Sequence, residues 1–144
     1  MTPQRVTLIT LGVSDLSRAR EFYAKLGWTP APGGSDGVLF YQLNGLVLAL
    51  FGRDDLAHDQ NRPVGELGTG AMTLALNMHE RADVDAAFQQ AVEAGASILK
   101  APEEVFWGGY SGYYADPDGH VWEVAHNPFW PLSDDGSLTL PDVA

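Results

Sequence analysis

The chain has 144 residues, no cysteine and a formal charge of −11. A chain of this length suits one domain, or two small modules sharing a core, and buries roughly 70% of its unfolded surface without a disulfide or metal staple. The missing cysteine excludes thiolate metal ligands and thiol nucleophiles, and the acidity argues against nucleic acid or an anionic membrane as a partner. The charge is compatible with a cationic ligand, although acidity commonly serves solubility alone.

The first residues, Met1 to Arg5, lack a basic region followed by an apolar stretch, so no signal peptide is expected. No apolar run approaches the roughly 20 residues needed to span a bilayer. The default expectation is a cytoplasmic protein. Val6 to Val13 is apolar and β-branched and predicts a strand. Ser14 and Asp15 offer an N-cap, and Leu16, Ala19, Phe22, Tyr23 and Leu26 follow at helical spacing before Gly27 stops the helix. Pro30, Pro32, Gly33 and Gly34 mark a loop around a short extended piece. Val38 to Leu43 and Leu46 to Phe51 predict two strands joined at Asn44-Gly45, a strong short-range hairpin signal.

Arg53 to Gly68 is polar and predicts a linker or lid. The pattern then restarts. Ala71 to Met78 predicts a strand, and Val84, Ala87, Phe88, Ala91 and Val92 form a helical stripe ended by Gly95. Ala96 to Lys100 predicts a short strand. Val105 to Tyr114 predicts another, with a flexible stretch at Gly108-Gly109. Asp116-Pro-Asp-Gly119 is a turn in which Pro presets φ and Gly tolerates its positive value. His120 to His126 predicts the last strand, and an aromatic tail follows at Phe129-Trp130.

Each half thus reads as strand, helix and three strands, with Phe22 and Phe88 in equivalent places. Such internal repetition is informative because one half cannot cover its own sheet. The fold class expected is α+β, with two βαβββ modules in tandem forming a cleft: a first module at about 5–53, a linker at about 54–68, a second module at about 69–128 and a tail at 129–144.

Three segments resemble the vicinal oxygen chelate superfamily, which holds glyoxalases, bleomycin-resistance proteins and extradiol dioxygenases. They are Leu11-Gly-Val-Ser-Asp-Leu16 running on to Glu21-Phe-Tyr23 and Leu26-Gly27, the restart at Met72 with a helix ending Glu93-Ala-Gly95, and Ala115-Asp-Pro-Asp-Gly-His-Val-Trp-Glu-Val124. Metal-dependent members hold one divalent ion with four side chains, one from the first and one from the last strand of each half. The resemblance places those positions at Leu8, Ala49, Thr73 (or Met72) and Glu123. Only Glu123 is a strong donor, whereas a catalytic site usually keeps three protein ligands. The resemblance therefore implies a member without most of its metal ligands. No cofactor is expected, and a divalent metal would need a site elsewhere.

Strand alternation groups the cleft-facing residues. Leu8 and Thr10 share a face, as do Ala49 and Phe51, and Thr73 and Asn77; Glu123 faces opposite to Trp122 and Val124. Tyr110 and Tyr113 are further candidates for stacking on a ligand, against the plainer reading that these aromatics are core or dimer packing. His58 in the linker and His79 past a strand end are expected to be exposed. Ser111 has no sequence-local His–Asp partner and is not expected to be a nucleophile.

A small, mostly apolar cleft with a few polar points suits a small organic ligand. The resulting expectation is a metal-independent protein that binds such a ligand, with Glu123 as polar focus. The alternative is a glyoxalase-like lyase or isomerase, or a dioxygenase-related enzyme, using Glu123 as acid–base or metal ligand. A homodimer is expected, closed two-fold pairs being the commonest oligomers.

Overall fold

The opening β-branched run becomes strand β1 (Leu8–Val13), and Asp15 then caps helix α1 (Leu16–Lys25), its Oδ1 accepting the Arg18 amide at 3.1 Å. Strands β2 (Val38–Gln42) and β3 (Val47–Gly52) complete a three-stranded sheet of order β1-β3-β2. β1 runs parallel to β3, and β2 antiparallel to it. In this computed structural model, which describes residues 1–35 and 37–141, these elements lie in the first of two units, Met1–Gly68 and Thr69–Ala144.

Periodicity decides the core of the first unit. Leu11 and Val13, Leu39 and Tyr41, and Leu48 and Leu50 stand at alternate strand positions and are buried with Ala19, Phe22 and Tyr23 of α1. The rings of Tyr23, Tyr41 and Trp28 pack within about 6 Å of one another.

The second unit repeats the pattern with β4 (Thr73–Asn77), α3 (Arg81–Glu93), β5 (Ser97–Glu104), β6 (Tyr110–Ala115) and β7 (Val121–His126), in the sheet order β4-β7-β6-β5. Val84, Phe88 and Ala91 of α3 are buried, as are Tyr114, Trp122 and Val124 of the sheet, and the Phe88 and Tyr114 rings meet edge-on at 6.2 Å. The architecture is mixed α+β with two βαβββ-like modules, as the repeat predicts. Among the described residues no helix is long and apolar enough to cross a membrane.

Three local expectations change. The extended piece near Pro30 does not become a full strand: Ala31 donates one hydrogen bond to the Phe40 carbonyl (2.7 Å), and its neighbours Pro30 and Pro32 have no N–H to continue the ladder. The segment read as a linker begins with a helix, α2 (Arg53–Asp59), whose Ala57 is buried. In the second half, β5 runs on to Glu104 and β6 starts only at Tyr110. Between them Val105 to Gly109 is a tight turn, closed by Val105 N–H to Gly109 O (2.8 Å) and Gly108 N–H to Val105 O (2.9 Å).

Candidate functional site

In the first unit, the face of the sheet opposite α1 carries Leu8, Thr10 and Gly12 of β1 beside Val47, Ala49 and Phe51 of β3. Phe40 stands opposite Ala49 on β2 and joins that face. The four candidates Leu8, Thr10, Ala49 and Phe51 therefore share one surface. It is apolar but for the Thr10 hydroxyl and, at its rim, Gln42. Helix α2 sits at the Gly12 end. A Cβ on Gly12 would lie 3.1 Å from Leu56 Cδ2 and 3.3 Å from Arg53 Cγ, so the bare glycine admits the helix. The Arg53 guanidinium reaches past it to the Leu67 carbonyl at 2.8 Å.

In the second unit, the face opposite α3 carries Thr73, Ala75 and Asn77 of β4, in register with Val121, Glu123 and Ala125 of β7. β6 adds Ser111, Tyr113 and Ala115, and β5 adds Lys100 opposite Tyr113 and Glu103 opposite Ser111. Across the sheet this gives a row Ala75, Glu123, Tyr113, Lys100. Tyr113 is the cross-strand partner of Glu123, and the carboxylate acts on its phenol. Burial is the main reason the phenol is pushed above its ordinary range, and the neighbouring Glu123 carboxylate acts in the same direction. Lys100 is neutralised by Glu103 at 3.1 Å. Glu123 thus has a phenol as cross-strand neighbour and no ion-pair partner among the described residues.

Tyr110 requires a correction. It stands an odd number of residues from Tyr113 and so points to the helix side of the sheet. Its hydroxyl donates to Asp85 of α3 at 2.6 Å, and the Arg81 guanidinium lies over its ring at 5.1 Å. It clasps α3 to the sheet and does not share the face of Glu123. Lys100 and Glu103 were missed in the sequence because two register shifts interrupt β5, and simple alternation cannot be carried across them. Gly112 marks the same irregularity, since a Cβ there would lie 2.8 Å from Pro102 N.

The metal positions implied by the resemblance hold a poor donor set. Leu8 and Ala49 are hydrocarbon, Thr73 offers one neutral hydroxyl, and Glu123 alone is a strong donor. No group of three or more His, Asp or Glu side chains among the described residues is arranged to hold a metal ion. The residues present do not fit the divalent ion of the metal-dependent family members.

Comparison with known proteins agrees with this architecture. The family described as the Glyoxalase/Bleomycin resistance protein/Dioxygenase superfamily matches residues 5–124. The solved structure of a glyoxalase-related enzyme from Fulvimarina pelagi has 38% sequence identity and a TM-score of 0.88, covering 97% of this chain and 100% of the other. An uncharacterized protein of Mycobacterium bovis is 34% identical over 79% of this chain and 78% of its own length. The metallothiol transferase FosB of Shouchella clausii is 30% identical over 81% of this chain and 75% of its own length.

Proposed function

Since the chain belongs to the glyoxalase/bleomycin resistance protein/dioxygenase superfamily, we propose that it binds a small organic ligand on the Glu123 face of the second sheet, without a metal ion. The observation that carries this reading is the Tyr113–Glu123 pair. It sets a carboxylate with no cationic partner among small and apolar neighbours, where a ligand's N–H or cationic group would complete it. Thr73 and Asn77 stand on the same face as further polar contacts.

The test is a thermal-shift screen of small amines, carboxylic acids and aromatic compounds, followed by calorimetry on any hit. Glu123→Gln keeps the shape and removes the charge, so it should fold normally and weaken binding of the hit at least tenfold, the loss expected of a charge-assisted hydrogen bond worth ~1.5–3 kcal/mol. Equal binding by the parent and the Gln variant would overturn the role given to Glu123. Elemental analysis after purification without added metal should find Zn, Ni, Mn and Fe well below one per chain. Near-stoichiometric metal that is lost in Glu123→Ala would overturn the metal-free reading.

A second reading, an enzyme of the lyase, isomerase or dioxygenase-related kind, is favoured by the same pair. A carboxylate beside a phenol is able to accept a proton from carbon or oxygen and to return it. Turnover lost in Glu123→Gln while ligand binding persists would select it. The metallothiol transferase likeness does not extend to a metal centre, because Leu8, Ala49 and Thr73 supply no strong donors. For assembly, the exposed aromatics Phe106, Trp107, Phe129 and Trp130 of the second unit support a homodimer, which light scattering at micromolar concentration tests.

A further inference from the structure

Three Asx–Gly steps lie wholly among the described residues: Asn44-Gly45, Asp118-Gly119 and Asp135-Gly136. Such steps carry a known chemical potential. The backbone nitrogen of the glycine attacks the side-chain carbonyl carbon of the preceding residue, because glycine has no side chain to obstruct the approach. A folded chain suppresses this when the glycine N–H is held in a hydrogen bond that fixes the nitrogen away from the carbonyl.

The three steps differ in that respect. The Gly119 amide donates to the Asp116 carbonyl at 3.0 Å, and the Gly136 amide donates to the Ser133 carbonyl at 2.8 Å. The Gly45 amide donates to no group among the described residues. A bond from Leu43 N–H to Leu46 O at 2.8 Å closes the loop that holds it. Both Asn44 and Gly45 are exposed, and nothing lies within 4 Å of where a Gly45 Cβ would be. Asn44 is also the better electrophile of the three, since an amide carbon is attacked more readily than an ionised carboxylate.

We propose that Asn44 is a site of spontaneous deamidation in the folded protein, driven by the untied Gly45 amide in the β2–β3 hairpin loop. The Gly45 nitrogen forms a bond to Asn44 Cγ and gives its proton to solvent base. The Cγ–Nδ2 bond breaks, the nitrogen takes a proton from solvent and leaves as ammonia, and a five-membered succinimide remains. Water then opens the ring at either carbonyl, giving aspartate or isoaspartate. Both products add one negative charge. The isoaspartate also adds a methylene to the main chain of the loop that sets the β2–β3 register, where Phe40 stands opposite Ala49.

The experiment holds the full chain in mildly alkaline buffer made with heavy-oxygen water, folded in one arm and unfolded in urea in the other. Peptide mass spectrometry then locates the label, and an isoaspartyl methyltransferase counts the isoaspartate. Label confined to Asn44 in the folded protein, gained at a rate within a few-fold of the unfolded chain, is the expected result. The signal should vanish in Asn44→Gln, whose longer side chain disfavours ring closure. It should also fall several-fold in Gly45→Ala, with circular dichroism checking that this variant folds. Protection of Asn44 by more than tenfold on folding would overturn the proposal. So would isoaspartate accumulating as fast at Asp118 or Asp135, because the glycine amide would then not be what decides.

Discussion

Both units lay a helix over one face of a sheet, and their opposite faces differ in kind. In the first unit that face is a surface of Leu8, Thr10, Ala49, Phe51 and Phe40, closed at one end by α2. In the second it carries the polar row Glu123, Tyr113, Lys100, with Glu103 behind it. The same supersecondary pattern therefore builds an apolar wall and a polar one. A pattern of alternation fixes which residues share a face, while the residue types placed there fix what the face can recognise.

The largest expected effect strikes the helix side of the second sheet. Trp122→Ala removes a buried ring beneath α3 and should cost about 3–5 kcal/mol, read by denaturant unfolding. A loss under ~1 kcal/mol would mean that the second unit does not rest on this layer. A sharper contrast comes from two glycines. At Gly112 a Cβ meets the backbone, Pro102 N at 2.8 Å and Lys100 O at 3.0 Å, so Gly112→Ala should cost about 1–3 kcal/mol. At Gly12 a Cβ meets the side-chain atoms Leu56 Cδ2 and Arg53 Cγ, which can move. Gly12→Ala should therefore cost less than Gly112→Ala; the reverse order would show that α2 is the more rigid neighbour.

The alkaline limb of stability separates the units further. Burial is the main cause that raises Tyr41 in the first unit and Tyr113 and Tyr114 in the second, with Tyr114 well above the ordinary range. A phenol whose folded value exceeds its unfolded value of about 10 stabilises the fold fully below that pH and loses the contribution as pH rises through the folded value. The melting temperature should fall above pH ~10, and Tyr114→Phe should flatten that fall more than Tyr113→Phe. Glu123→Gln should move the Tyr113 titration, followed by tyrosinate absorbance, downward toward the ordinary value. An unchanged curve would show that the carboxylate does not act on the phenol. The smallest effect is expected at Tyr41, whose hydroxyl is buried with no hydrogen-bond partner among the described residues. Tyr41→Phe should be neutral or stabilise by up to about 1 kcal/mol, since it removes a polar group left unsatisfied. A clear loss of stability would reveal a bound water on that hydroxyl.

How much of this was legible in the sequence depends on how strictly each signal repeats. Strand alternation with period two placed Glu123 opposite Trp122 and Val124, and it grouped Leu8 with Thr10 and Ala49 with Phe51. The same rule separates Tyr110 from Tyr113, whose odd spacing was there to be read. α2 was less legible: Arg53–Asp59 offers only Leu56 and Ala57 as apolar residues, too few for a helical stripe. Lys100 and Glu103 lay beyond reach because bulges in β5 break the parity that would have placed them. The partner of Glu123 is a cross-strand neighbour, and pairing between strands follows from register, which no local motif states.

The single hydrogen bond from Ala31 to Phe40 has a consequence for how this chain behaves in a crowd. The outer edge of β2 would otherwise offer a row of open carbonyls and amides, a template on which another chain could build. Ala31 occupies it at one point, and Pro30 and Pro32 leave its outward side short of donors. An incoming strand finds no ladder to extend, and the first sheet stops growing at this place. Replacing both prolines with serine would restore the two missing donors and make that edge a better template for another strand.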